Sequence, residues 1–337
     1  MLIGLTYDLR SDYLAMGYSA EDTAEFDKDE TIVGIEDALR TLGHTTDRIG
    51  HAKALIRRIA NGSQWDMVFN ICEGLHGLSR EAQVPAILEL YDVPYVFSDP
   101  LVLSLTLHKG MTKRIVRDAG VPTSDFVVYE SAQDLLRLGF EPPFFVKPVA
   151  EGTGKGCSAK SIVRGRADLT VVCEELAARF RQPAIIEPYL TGREFTVGIT
   201  GTGQDSEIVG SMEIILLANA EKGVYSFDNK DNYADRVAYK PCDSGADPIA
   251  AAAERVALDA WQALGCRDGG RVDIRCDSGQ NPLFMEVNPL AGLNPQDSDL
   301  PILARMHGVA YTDLIRRIIE SAASRLCTAT APFKAAS

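Results

Sequence analysis

Two short runs near the C-terminal end, R-V-D-I-R (271–275) and F-M-E-V-N-P (284–289), carry polar side chains at every second position. In a strand, alternate side chains share a face. Arg271, Asp273 and Arg275 then point one way, and Glu286 and Asn288 also share a face. If the turn D-S-G-Q-N pairs the two runs, Asp273, Glu286 and Asn288 converge as hard oxygen ligands. Two carboxylates and an amide suit Mg²⁺, which is usually held by few protein oxygens together with phosphate oxygens. Arg271 lies two residues from one of these ligands on the same face, placed for an oxyanion or a phosphoryl oxygen. Taken alone, the same pair of runs also fits a surface hairpin whose polar face is solvated.

A second cluster, FFVKPVAEGTGKGCSAK (144–160), sets two lysines around alternating glycines. Gly152, Gly154 and Gly156 let consecutive backbone N–H groups converge on an anion without Cβ obstruction. The spacing is neither a Walker A loop, since Gly154-Lys155 is followed by Gly156, nor a G-x-G-x-x-G dinucleotide fingerprint. A flexible hairpin tip between strands at 144–149 and 157–163 accounts for the glycines equally well. A third cluster, E-P-Y-L-T-G-R-E (187–194), ends an apolar strand in a carboxylate and adds a second acid seven residues on. The first acid with its neighbouring backbone groups suits an adenine edge and the second suits ribose hydroxyls; an edge-strand turn with ordinary salt bridges is the plainer alternative.

The bulk composition narrows the partners. The chain has 337 residues, 46% of them hydrophobic, enough for two or three domains. Its formal charge of −13, with no basic run, argues against a nucleic-acid groove or an anionic membrane surface. No cationic leader and no apolar run of spanning length is present, so a cytoplasmic protein is expected. Seven dispersed cysteines without a C-x-x-C pair read as reduced thiols, and the histidines lack zinc-site spacing.

The elements that must hold these residues fall into two styles. Strands at 1–7, 44–49 and 67–71 alternate with helices at 30–43, 52–60 and 80–91, an open parallel α/β layer. A helix at 109–119 leads to a strand at 126–129. From about 144, strands at 144–149, 157–163, 184–188, 193–200, 208–215, 271–276 and 282–288 mix with helices at 168–180, 248–263 and 308–322. That mixture predicts antiparallel sheets with packed helices, an α+β arrangement.

Taken in order, a lysine opening a helix (109), the lysine and glycine loop (147–156), E-P-x-L-x-G-x-E (187–194), R-V-D (271–273) and E-x-N (286–288) resemble the ATP-grasp superfamily. Within it they resemble the D-alanine–D-alanine ligase group, as do LHGLSREAQVPAILELYDVPY (75–95), HKGMTKRIVRDAGVPT (108–123) and EVNPLAGLNPQDSDLP (286–301). The resemblance spans nearly the whole chain. It implies three domains: an N-terminal α/β domain at 1–103, a central lid-type α+β domain at 104–186 and a C-terminal α+β catalytic domain at 187–330, with a flexible tail at 331–337. ATP would lie between the last two.

The resemblance also implies residue roles. Lys109 and Lys147 would hold the phosphates, and the loop Glu151–Gly156 would cover them through Gly152, Thr153 and Gly154. Glu187 would accept from the adenine amino group, Tyr189 and Leu190 would form the backbone hinge, and Glu194 would bind ribose. Lys230 would reach over the nucleotide. Asp273, Glu286 and Asn288 would bind two Mg²⁺, with Mn²⁺ able to substitute, and Arg271 and the Gly292 N–H would stabilise a tetrahedral oxyanion. Glu81, beside Glu25 or Asp27, would shape the first-substrate pocket, and Ser298 would face the acceptor carboxylate. The implied activity is ligation of small amino-acid-like molecules through an acyl phosphate, releasing ADP and phosphate, and the group suggests a homodimer. Two alternatives stay open: a ligase for other amino acids in secondary metabolism, and a nucleotide-binding regulatory protein without turnover.

The departures from the group's pattern are expected to fall in substrate pockets, whereas the nucleotide and metal positions match. His108 stands where an aspartate is expected before Lys109, and Asp231 stands where a tyrosine would close on the first substrate. The segment after Asn288 is one residue longer, and Asp297 and Asp299 flank Ser298. Such charges favour a ligand bearing a cationic or hydrogen-bond-donating group over D-alanine in at least one site.

Overall fold

The computed structural model describes residues 1–221, 223–224 and 233–329. Lys230, Asp231 and the tail 331–337 lie outside the described residues.

The first sheet is parallel, with β1 (Leu2–Tyr7) between β2 (Thr45–Arg48) and β3 (Met67–Ile71). All five residues of β3 are buried, as a strand covered on both faces requires. The crossover helix Asp29–Thr41 buries Ile32, Ile35 and Leu39, a stripe at helical spacing, and packs against the long helix Tyr311–Ala329. Ile3, Leu39, Leu293, Leu303 and Leu314 accordingly share one apolar cluster, which joins the beginning of the chain to its end.

A second, antiparallel sheet comprises β4 (Val127–Tyr129), β5 (Phe144–Pro148), β6 (Ile162–Val163) and β7 (Ala184–Pro188), in the order β4-β7-β5-β6. Helix Arg166–Phe180 covers it, and its core, including Phe144, Val146, Leu169 and Ile186, is a cluster of its own. The third sheet is also antiparallel and runs β10-β9-β8-β11-β12, from β8 (Glu194–Thr200), β9 (Glu207–Leu216), β10 (Val237–Pro241), β11 (Gly269–Cys276) and β12 (Pro282–Asn288). Helix Pro248–Ala263 packs Ala250, Ala253, Ala257 and Trp261 against it, capped by Asp247, whose carboxylate accepts the N–H groups of Ile249 and Ala250.

Three expectations need correction. The strand at 157–163 is only Ile162–Val163, preceded by the turn Ala159–Ser161, because serine side chains there bond the local backbone in place of a ladder. The helix expected at 308–322 runs instead from Tyr311 to Ala329, and a separate helix, Asp299–Met306, precedes it, the two parted at Gly308, whose φ is +76°. Helix Pro100–Leu107 was not expected; Asp99 caps it, accepting the Val102 N–H at 2.9 Å, and Pro100 opens it.

Candidate functional site

The β11–β12 register places Asp273 opposite Glu286 and Arg271 opposite Asn288, with a bulge immediately after Asp273. Directly opposed residues project to the same face, so all four side chains lie on one face of the sheet. Arg271 Nη1 is ion-paired with Asp273, and its Nε lies 3.8 Å from Asp299 Oδ2. Asp273 also accepts from Thr196 Oγ1 at 2.9 Å. Burial alone would lower the Arg271 pKa, but Asp273 and then Asp299 outweigh it and hold the guanidinium charged.

Two lysines approach Glu286 from other elements. Lys109 opens the helix Lys109–Asp118, and its Nζ lies 3.5 Å from Glu286 Oε2 and donates to the Glu151 carbonyl at 2.6 Å. His108 serves as the cap of that helix, its Nδ1 accepting the Met111 N–H at 3.2 Å. His108 thereby does the job that an N-cap acid does. Lys147, on β5, reaches Glu286 Oε2 at 3.7 Å and Glu187 Oε2 at 3.3 Å. Burial alone would lower the Lys147 pKa; Glu187 and then Glu286 raise it above the usual lysine value.

Glu187 is itself committed. Its Oε1 lies 2.5 Å from Lys113 Nζ and accepts from Ser124 Oγ at 3.1 Å. Burial opposes ionisation, but Lys113 and then Lys147 hold the carboxyl down at about 2. Any amino group accepted by Glu187 shares oxygens with these lysines. Lys113 was not anticipated from the sequence. It sits one helical turn after Lys109, and that i, i+4 spacing is the signal that was available.

The glycine loop does connect two paired strands, with Phe144 opposite Val163 and Phe145 opposite Ile162. It is folded by two successive turns, Lys155 N–H to the Gly152 carbonyl and Cys157 N–H to the Gly154 carbonyl, both 3.0 Å. Thr153, Gly154 and Gly156 take positive φ values of 53°, 72° and 76°, which explains the glycines at the last two positions.

The predicted residues line two adjoining cavities that share Lys109, Glu151 and Glu286. One contains Lys147, Gly154, Glu187, Tyr189, Leu190, Glu194 and Asp273. Glu194 there pairs with Arg275 at 3.0 Å, and the Tyr189 hydroxyl donates to the Gly223 carbonyl at 2.9 Å. The other, of about 230 Å³, contains Glu25, Asp27, Glu81, Gly152, Thr153, Arg271, Asn288, Gly292 and Ser298. Gly292 packs so closely on Ser298 that an added Cβ would sit 2.8 Å from its hydroxyl oxygen. Of the two flanking aspartates, Asp299 is turned to Arg271 and accepts from the Tyr239 hydroxyl at 3.3 Å, whereas Asp297 lines the cavity and pairs with Lys28. Burial pushes the carboxyls of both Asp27 and Glu81 up to about 7. Glu73, also in this wall, was missed by sequence reasoning because no local pattern marks it.

Among the described residues, no group of three or more His, Cys, Asp or Glu could hold a metal ion. The set at hand is two carboxylates and an amide. Asn288 Nδ2 is buried without a hydrogen-bond partner, and turning that amide would present its oxygen instead. Opposed carboxylates ringed by Arg271, Lys109 and Lys147 therefore fit a hard cation completed by phosphate oxygens.

The chain is similar to known proteins. Residues 115–320 match the family model described as the D-ala D-ala ligase C-terminus. A D-alanine–D-alanine ligase of Bordetella pertussis is 33% identical over 87% of this chain and 89% of its own. Among solved structures, the Bacillus anthracis D-alanine–D-alanine ligase complexed with ATP superposes with a TM-score of 0.73 at 22% identity, covering 98% of this chain and 99% of that one. The VanG D-Ala:D-Ser ligase of Enterococcus faecalis gives 0.71 at 18% identity, covering 95% and 99%. The fold is that of an ATP-grasp ligase. The chain belongs to the D-alanine–D-alanine ligase family and is an ATP-dependent, amide-forming enzyme of that family.

Proposed function

We propose that the enzyme joins two small amino-acid-like molecules through an acyl phosphate, with ATP in the cavity of Glu187, Tyr189, Leu190 and Glu194 and the amino acids in the cavity of Asp27 and Ser298. The observation that carries this is the meeting of Lys109, Lys147 and Arg271 around Asp273 and Glu286 where the two cavities join. A carboxylate resists an amine because its oxygen is a poor leaving group. Transfer of the γ-phosphoryl group to that oxygen creates a good one, and the charge developed in the transfer is offset by Lys147 and Arg271. Asp273, Glu286 and Asn288 would hold Mg²⁺, which neutralises phosphate charge when bound. Arg271 and the Gly292 N–H then face the tetrahedral oxygen as the amine attacks and phosphate leaves.

Both donor-ammonium candidates, Glu25 and Asp27, line the amino-acid cavity. Glu25 is already bonded by Arg80 and by the Gly152 N–H, which leaves Asp27 as the acid available to an ammonium. The 230 Å³ cavity suits small molecules, and its wall carries Asp27, Glu73, Glu81 and Asp297. That acidic lining supports a preference for a cationic or hydrogen-bond-donating partner in at least one site. Among the described residues no helix is long and apolar enough to cross a membrane. Free thiols at the described cysteines support action in the cytoplasm.

Amino acids of both hands, singly and in pairs, are to be screened for ADP and phosphate release together with amide formation. At least one pairing containing a basic or polar amino acid is expected to exceed the kcat/KM measured with D-alanine alone; a D-alanine value above every other pairing would refute that preference. Stripping metal with EDTA should abolish turnover, and Mg²⁺ or Mn²⁺ should restore it. Full activity in metal-free buffer would exclude Asp273, Glu286 and Asn288 as ligands of a required metal.

A further inference from the structure

Arg80 has no part in the chemistry above, yet it is buried at 6% exposure beside the glycine loop. Its Nη1 donates to the Ala150 carbonyl at 2.9 Å, and its Nη2 donates to Glu25 Oε2 at 3.0 Å. The other Glu25 oxygen accepts the Gly152 N–H at 2.7 Å. Lys155 Nζ completes the group, 3.7 Å from Glu25 Oε2 and 2.7 Å from Glu151 Oε2. Three segments distant in sequence are thus tied together: the acidic N-terminal loop, the turn Arg80–Ala82 and the glycine loop. The contact is close enough that a Cβ at Gly152 would come within 2.6 Å of Glu25 Oε1. A second link between the same parts, Arg179 to Glu21 at 2.5 Å, is exposed and adds little.

The sheet that carries the glycine loop has a core of its own, whereas the first sheet shares its core with the C-terminal helices. The loop can therefore move with its sheet, and buried polar bonds at its tip fix where it stops. We infer that Arg80 and Glu25 are positioning residues that hold the glycine loop closed over the reacting groups and keep water from the acyl phosphate. This rests on the ligase reading proposed above. Without closure, water adds to the acyl carbon and the bond from that carbon to the phosphate oxygen breaks. The original carboxylic acid and phosphate result, and ATP is consumed with no amide formed.

The test uses the full-length enzyme and its variants Arg80→Ala, Arg80→Lys, Glu25→Gln and Asp27→Asn. In the wild type, ADP and amide form in equal amounts with the fastest amino-acid pair. Arg80→Ala and Glu25→Gln are expected to raise the ADP-to-amide ratio several-fold, Arg80→Lys to restore it in part, and Asp27→Asn to raise the donor KM with the ratio unchanged. Glu25→Gln keeps the side chain's size, so the test survives if Arg80→Ala does not fold. Hydrogen exchange of amides 151–156 with a non-hydrolysable ATP analogue and Mg²⁺ gives a second readout that needs no turnover. A lost hydrogen bond to a charged group speeds exchange by about tenfold to a hundredfold, and amides of the third sheet should be unaffected. An unchanged ratio, or unchanged exchange in the loop, overturns the inference while leaving the ligase reading intact. Failure of the wild type to form any amide would instead strike that reading, and the exchange result would still decide whether Arg80 and Glu25 hold the loop.

Discussion

Arg271→Ala is expected to lower kcat by about 10²–10³, the usual cost of losing one donor to a developing oxyanion. The guanidinium is held charged and oriented by Asp273 and Asp299, so it is ready before substrate arrives. Its loss removes stabilisation that matters mainly in the transition state, so KM for either amino acid should change little. Lys147→Ala should show a drop of similar size, because Lys147 is the cation that bridges Glu187 and Glu286 where the cavities join. Steady-state kinetics on both variants, with circular dichroism to verify folding, checks the expectation. A wild-type rate in either variant would refute a catalytic role for that residue.

The second large effect is on stability. Glu187 neutralises Lys113 and Lys147, which are 0% and 4% exposed. Glu187→Gln leaves the buried Lys113 ammonium without its carboxylate and Lys147 with Glu286 alone at 3.7 Å, and breaking a buried pair in this way costs about 3–5 kcal/mol. Urea unfolding at pH 7 should therefore show a much lower midpoint for the variant. The pH dependence has a definite sign. The Glu187 carboxyl is lowered from its ordinary 4.5 to about 2 in the folded protein. Its ionised form thus contributes on the order of 3 kcal/mol above pH 4.5, and that contribution fades as pH falls toward 2. The gap between wild type and Glu187→Gln should narrow below pH 4.5. A gap that stays constant down to pH 3 would mean that Glu187 is not the charge that matters.

Legibility in the sequence followed local pattern. Helices Ala52–Ala60 and Pro248–Ala263 and strands Met67–Ile71, Ala184–Pro188 and Pro282–Asn288 have the bounds that periodicity predicts. Strand alternation was also enough to bring Arg271, Asp273, Glu286 and Asn288 to one face, because a two-residue period leaves only two choices. Helix Pro100–Leu107 escaped because P-L-V-L-S-L-T-L is apolar nearly all round and shows no helical stripe; the Asp99-Pro100 start was the usable signal. At the site, what could not be read were partners joined across long stretches of chain. Lys113 meets Glu187, and Arg80 meets Glu25 and Ala150, only once separate elements have packed. The conflict between Glu25 and Asp27 had the same origin, since both are acids of one loop and only the fold shows which is already bonded.

The most direct measurement follows oxygen. With the fastest amino-acid pair, the donor is supplied with ¹⁸O in its carboxylate, and the phosphate released during amide formation is analysed by mass spectrometry. If the donor carboxylate is activated by phosphoryl transfer and then attacked by the amine, its leaving oxygen departs on the phosphate. The expected result is one ¹⁸O atom in the phosphate for each amide formed, with ADP as the nucleotide product. Unlabelled phosphate accompanying amide formation would contradict an acyl phosphate on the path to the amide.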